Sequence, residues 1–201
     1  MIFSYHPTKL HLLQTTSYLM DKLPDYTITI EEVLKESGIS KGSLYHHFED
    51  FQHLIETCRV YRYGLWIDAT IEYLSSRIST STSRDDLIKI FEEITKAVHA
   101  DRRSDARSDR AATLALALKN ERMNSMLGEE VKQLTLSISS IIDNLIEKEY
   151  FEDSTNPKAF ATFIQALALG KIVNDYNPEG VSEKEWNEML MNIYVKVFFK
   201  K

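Results

Sequence analysis

Between residues 29 and 48 the chain reads TIEEVLKESGISKGSLYHHF, and few backbone arrangements suit that string. Thr29 precedes Ile30-Glu31-Glu32, so Thr29 can cap a helix while Glu32, three residues on, reaches back to complete a capping box. Ile30, Val33 and Leu34 fall on one helical face. Gly38 supplies a position that takes positive φ and ends that helix. Ile39 is the apolar plug of the turn, and Ser40 is a good N-cap for a second helix, Lys41 to His47. Leu44 and Phe48, four apart, face inward against the first helix. Lys41, Gly42, Ser43, Tyr45, His46 and His47 are left on other faces.

Two short helices joined by a tight turn, the second with a polar N-terminal turn, are what a DNA-reading head needs to enter a major groove. The run SGISKGSLYHHF resembles the signature of TetR/AcrR-type transcriptional regulators, roughly AGVSKGTLYHYF. The resemblance extends back to Leu12-Leu13, Thr16 and Leu19-Met20, which suit the first helix of that DNA-binding domain. It implies that Lys41 and Gly42 approach base edges, with Gly42 letting the backbone come close. It also implies that Ser40, Ser43, Tyr45, His46 and His47 are candidates for base or phosphate contacts, with Thr29 a phosphate contact from the first helix of the motif. Two positions depart from the family pattern. Phe51 stands where a run like F-x-S-K-E-x-L carries its Lys, which removes a phosphate anchor. Pro24-Asp25-Tyr26 stands where the preceding turn usually carries Gly-Tyr.

The charge balance runs against an ordinary DNA-binding footprint. The chain is net −6. Residues 1–55 hold Lys9, Lys22, Lys35 and Lys41 against Asp21, Asp25, Glu31, Glu32, Glu36, Glu49 and Asp50. Five of the six histidines, His6, His11, His46, His47 and His53, lie in the same stretch. Their unperturbed pKa near ~6.5 lets nearby phosphates hold some of them protonated. The expectation is modest affinity with a shallow salt dependence.

Onward, the periodicity predicts helices over residues 8–23 (stopped by Pro24), from Asp50 to about Arg77, and from Ser83 to about Ala100. The polar run STSTSRDD, residues 79–86, separates the last two. The charged run DRRSDARSDR, residues 101–110, reads as a solvated loop or exposed helix end. Helix returns with AATLALALKNE and then from Asn124 to about Phe151, with Leu127, Val131, Leu134, Ile138, Ile141, Ile142 and Leu145 on one face. Asn156-Pro157 opens a helix reading PKAFATFIQALALGKIVND. Ser182 and Glu185 form a second capping box for a last helix bearing Trp186, Met189, Leu190, Ile193 and Val197.

The fold class that follows is all-α: a three-helix DNA-binding domain over residues 1–50, then a larger helical domain over 51–201 for effector binding and dimerisation. Ala159, Phe163, Ala166 and Gly170 form a stripe at three- and four-residue spacing. A helix this apolar must be covered in water, by its own chain or by a second copy. By the resemblance, the last two helices, with Trp186 and Ile193, pair with those of a second subunit. The candidate lining of an effector pocket is Tyr63, Trp66, Ile67, Thr70, Phe91, Ile94, Met123, Met126, Leu127 and Gln133. Aromatic and Met residues with a few polar groups suit an apolar or aromatic ligand.

No residue constellation argues for an enzyme, a cofactor or a metal. There is no glycine-rich phosphate loop and no nucleophile elbow. His46 and His47 are adjacent, so they point in different directions on a helix and do not form an i, i+4 metal pair. The lone Cys58 excludes an internal disulfide framework and suits a reducing cytosol. It reads as a small apolar residue in a helix. The N-terminus lacks the basic start and apolar run of a signal peptide, and no stretch approaches ~18 consecutive apolar residues, so no membrane partner is expected. The best reading is a cytoplasmic homodimeric repressor, released from a palindromic operator on double-stranded DNA by a small molecule. Two others stand beside it: an architectural or division-associated DNA-binding protein of the same fold without a ligand, and a helical adaptor that has lost DNA binding.

Overall fold

A computed structural model describes residues 4–23 and 27–200, so the expected turn at Pro24-Asp25-Tyr26 lies outside the described residues. The architecture is all-α: α1 (Pro7–Met20), α2 (Ile30–Ser37), α3 (Lys41–His47), α4 (Phe51–Ser79), α5 (Arg84–His99), α6 (Ser104–Ala117), α7 (Glu121–Glu147), α8 (Pro157–Gly170), α9 (Ile172–Asp175) and α10 (Glu183–Ile193). The chain divides into two compact units. One comprises Met1–Asp68 with Ala115–Glu130, the other Ala69–Leu114 with Val131–Lys201. Among the described residues, no helix is long and apolar enough to cross a membrane.

In the first unit, α1 begins on the side chain of His6, which accepts from the Thr8 amide at 3.3 Å, with Pro7 in the first turn. The helix ends at Met20, short of the expected residue 23. The next amides turn back instead, Lys22 and Leu23 both donating to the Leu19 carbonyl. Leu12, Leu13, Leu19, Ile28, Val33, Leu44, Phe48, Leu54, Cys58 and Tyr61 form one buried core. Cys58 is wholly buried and its Sγ donates to the Leu13 carbonyl at 3.5 Å, so it is a core residue. Arg62 on α4 ties down the end of α1, donating to the Ser17 carbonyl at 2.9 Å and to Asp21 Oδ1 at 2.7 Å. Farther along α4, a Cβ on Gly64 would lie 3.0 Å from the Glu130 carboxyl of α7. Glycine is what lets that buried carboxyl sit against the helix.

In the second unit, the charged run at residues 101–110 is not a solvated segment. A 3-10 turn, Asp101–Arg103, leads directly into α6, which starts at Ser104, well before the expected AATLALALKNE. Arg107 is fully buried. Its guanidinium makes a bidentate pair with Asp175, both contacts at 2.6 Å, and donates to the Ala100 carbonyl at 3.0 Å. Lys171, also buried, pairs with Asp101 and lies 3.8 Å from Asp175. The stretch PKAFATFIQALALGKIVND, which carries Lys171 and Asp175, is not one helix. It breaks after Gly170, where the Lys171 carbonyl accepts from both Asn174 and Asp175 and tightens the chain into α9. The sign-alternating pattern of residues 101–110 gave no hint that its central arginine would find a buried carboxylate nearly seventy residues away.

The end of α7 differs too. The helix stops at Glu147 rather than Phe151, and Glu149 takes φ 60°. Phe151 then pairs with Phe199 in an isolated antiparallel bridge. Glu152 donates to the Phe198 carbonyl at 2.8 Å and Lys200 to that of Tyr150 at 2.9 Å. To reach this bridge, the expected last helix ends at Ile193 and unwinds through a π turn, Tyr194–Phe198. Phe151 and Phe199, with ring centroids 4.8 Å apart, pack with Phe91, Phe160 and Tyr194. Such ring pairs contribute about 0.5–1.5 kcal/mol each beyond the area they bury.

His99, at the end of α5, is buried beside this charged cluster. Burial pushes its pKa down to about 4, and the charges of Lys171 and Arg107 add to the effect. The unfolded chain therefore takes up a proton near pH ~6.5 that the folded chain refuses until about 4. Stability from this group is complete above pH ~6.5 and falls by about 3 kcal/mol as pH drops toward 4. Denaturant melts at pH 7 and pH 5 should show most of that loss. His99→Phe should flatten the dependence between pH 6.5 and 5.

Candidate nucleic-acid interface

The helix-turn-helix forms as its local chemistry dictates. Thr29 accepts from the Glu32 amide at 3.3 Å, and the Glu32 carboxylate accepts from the Thr29 amide and hydroxyl, each at 2.8 Å. Those bonds hold the Glu32 carboxyl below its usual pKa. Gly38 ends α2 at φ 66°, and its amide donates to the Leu34 carbonyl at 3.0 Å. Ser40 caps α3 by accepting from the Ser43 amide at 3.2 Å. Val33 and Leu44 are wholly buried and Phe48 is almost so, while Ile30, Leu34 and Ile39 pack partly buried against the same core.

Burial of one side of α3 decides what its other side presents. Lys41, Gly42, Tyr45 and His46 are exposed, as are Thr29 and Ser40, while Ser43 and His47 are half-buried. Tyr45 is therefore presented outward and is not part of the core. A Cβ built on Gly42 meets no atom within 4 Å, so nothing inside the protein requires a glycine there. Phe51, at the position of the family's Lys, packs partly buried against the head core instead of facing outward as an anchor.

The fold also disposes of part of the head's acidity. Arg122 donates to Glu49 at 2.6 Å and to the buried Glu56 at 3.0 Å. Asp21 is held by Arg62. Asp50 caps α4 by accepting from the His53 amide at 2.6 Å. Arg122 lies far outside the first 55 residues, so a charge count over the head alone missed it. His6 was also absent from the candidate site, yet its ring stacks on His47 with centroids 5.0 Å apart. The His-Pro pair signalled a helix start, but nothing in the sequence signalled that stacking.

The residues expected to line an effector pocket are divided. Tyr63, Trp66, Ile67, Met123, Met126 and Leu127 belong to the first unit, and Thr70, Phe91, Ile94 and Gln133 to the second. In the first, Tyr63 and Trp66 meet edge to face at 5.3 Å, and Ile67, Met123 and Leu127 are buried. In the second, Phe91 is packed into the aromatic cluster around Phe151 and Phe199.

On the last helices, Ala159, Ala166 and Gly170 are exposed, while Phe163, Trp186 and Ile193 are half-buried. Val173, Met189 and Val197 are also exposed. Among the described residues, no group of three or more His, Cys, Asp or Glu side chains is arranged to hold a metal ion.

No protein-family model matches the sequence, and no curated protein matches it. Solved structures do match the fold. A structure assigned to the TetR family of transcriptional regulators, from Mesorhizobium loti, superposes with a TM-score of 0.71 at 13% identity, covering 96% of each chain. A TetR transcription regulator from Haloarcula marismortui gives 0.68 at 11% identity, over 98% of this chain and 100% of that one. The reduced form of E. coli NemR gives 0.63 at 19% identity, over 92% and 95%. At such identities the likeness is one of fold: over most of its length this chain has the fold of TetR-family transcriptional regulators.

The αL turn between the two helices sets the angle at which α3 is presented. Gly38→Ala adds a methyl into open space, so its cost is purely that of backbone conformation, roughly 1–2 kcal/mol. Urea melts should show a loss of that size; an unchanged midpoint would mean the turn relaxes to another geometry.

Proposed function

We propose that this chain is a TetR-family transcriptional regulator that binds double-stranded DNA through α3 as a homodimer. The observation that carries the proposal is the division of α3 into two faces. Leu44 with the following Phe48 is buried, and Lys41, Gly42, Tyr45 and His46 are presented outward from a helix whose start is capped by Ser40. Lys41 and Gly42 read base edges, and Thr29, Ser40, Ser43, Tyr45, His46 and His47 contact bases or phosphates. With few cations on the head, few counterions are released on binding, and the salt dependence is shallow.

Gly42 gives a clean separation of folding from binding. Gly42→Ala has room for its Cβ and should raise helix stability by up to ~1 kcal/mol. It should nevertheless abolish the gel shift of a duplex from the DNA upstream of the chain's own gene, because the methyl blocks the approach of the backbone to the groove. Lys41→Ala should weaken the shift about 5- to 150-fold, roughly 1–3 kcal/mol for a base contact. Wild-type binding by both folded variants would refute these roles.

A second copy would cover the exposed Ala159, Ala166 and Gly170 stripe with Phe163, Trp186 and Ile193 beside it. Such an isologous contact pairs two heads about a dyad and calls for a near-palindromic site. Ala166→Glu, at an exposed position, should convert a micromolar dimer to monomer in sedimentation while leaving the helical circular dichroism intact. A wild-type protein that sediments as a monomer would sink the dimer.

Repression relieved by a small apolar or aromatic effector fits the Tyr63–Trp66 pair and Met123 and Met126 of the same unit. A compound that raises the melting temperature should also reverse the gel shift.

A further inference from the structure

Three histidines that are far apart in sequence converge at one end of the head. His6, the cap of α1, stacks on His47 at 5.0 Å with planes inclined by 28°. His46 stands edge-on to His47 at 5.1 Å. His6 and His46 are exposed and His47 is half-buried, on the last turn of α3. Lys9 of α1 is beside them, its ammonium 4.9 Å from the centre of the Phe48 ring.

Among the described residues, the groups that act on His47 are bases: His46 on α3, and His6 and Lys9 from the start of α1. The acids that follow in the chain are engaged elsewhere, Glu49 with Arg122 and Asp50 with the His53 amide. His53 itself lies apart from the stack. Its Nδ1 accepts from the Glu49 amide at 3.2 Å, and it faces Arg122, Lys9, Glu49 and Asp50.

A stack of imidazoles beside an ammonium is a poor place to put a proton. Burial, then His46, His6 and Lys9, hold the His47 pKa below its ordinary value. An approaching anion that stays ionised at all physiological pH reverses this balance. The protonated ring then donates from both nitrogens, and its hydrogen bond to the anion is charge-assisted. A DNA backbone phosphate is such an anion, and two of the three rings, His46 and His47, sit on the last turn of α3.

We propose that DNA binding by this head is proton-linked through His47, stacked on His6 and edge-on to His46, with a backbone phosphate of the duplex as its counter-anion. The proposal rests on the DNA-binding function above. It adds that His6, outside the helix-turn-helix, belongs to the DNA-facing surface. The sign follows from the pKa ordering. The free head holds His47 below ~6.5, and phosphate raises it, so binding takes up protons in the window between. Affinity is greatest below that window and falls as pH rises through it, by up to ~tenfold per pH unit for each proton taken up.

The test is fluorescence anisotropy of the full chain on a labelled duplex from its own upstream DNA, from pH 6.0 to 8.0 at constant ionic strength. Circular dichroism at each pH verifies the fold. The dissociation constant should rise about tenfold across the range. Titration calorimetry at pH 7 in buffers of different ionisation enthalpy should register proton uptake. His6→Asn, which keeps a capping side chain, combined with His47→Gln should flatten the pH dependence. His46→Gln, at an exposed position, should reduce it even if the double variant misfolds, and His53→Gln should leave it in place. A wild-type affinity constant across the range overturns the linkage and leaves DNA binding standing. A slope that persists in folded His6→Asn/His47→Gln and His46→Gln proteins overturns the assignment to these residues. No binding at any pH overturns the DNA-binding function itself, and the linkage with it.

Discussion

A seven-residue helix does not hold its shape in water, because isolated helices shorter than ~12–15 residues are marginal even in favourable sequences. The presentation of α3 therefore depends on the burial of Leu44 and Phe48 against Val33, Leu12, Leu13, Leu54 and Cys58. Capping by Ser40 and the αL turn at Gly38 choose where the helix begins and at what angle. Packing supplies the free energy that keeps it helical. The same burial leaves Lys41, Gly42, Tyr45 and His46 nowhere to go but outward. Structure and proposed function in this head are two faces of one short helix.

The head's acidity is managed by position rather than by composition. Glu32 is spent on a cap, Asp50 on another, Asp21 on Arg62, and Glu49 on an arginine from α7. Arg122 thus couples the first turn of α7 to the segment just after α3. What remains around the end of α3 is basic but titratable: imidazoles and one lysine.

The second unit is organised by a different constraint. Two buried cations, Arg107 and Lys171, share the buried carboxylate of Asp175, with Asp101 as the outer partner. The hydrogen bonds from Arg107 hold the Asp175 carboxyl below its usual pKa against the upward pull of burial, and the charges of Arg107 and Lys171 add to that effect. Replacing one partner of such a set is far more costly than replacing all of them with apolar groups. The set ties the start of α6 to the break between α8 and α9. Elsewhere in the unit, the Phe151–Phe199 bridge draws the C-terminal segment onto the aromatic core.

Local chemistry was legible in the sequence wherever a backbone group needs a neighbour within four residues. The capping boxes at Thr29 and Ser182, the caps at Ser40, Ser83 and Asn156, and the glycine turn at Gly38 all form as their spacing requires. So does the buried face of α7 from Leu127 to Leu145. The sequence by itself determined the all-α class and the two-faced helix at residues 41–47. Tertiary structure alone decided the rest. It made Arg107 a buried ion-pair centre instead of a surface charge, broke the apolar helix at Lys171, ended α7 early to pair Phe151 with Phe199, and stacked His6 on His47. Each depends on a partner distant along the chain, and periodicity carries no record of which distant residue will arrive. A lone arginine in an alternating charge run looks the same whether it meets water or a buried aspartate; only the packed chain supplies the aspartate.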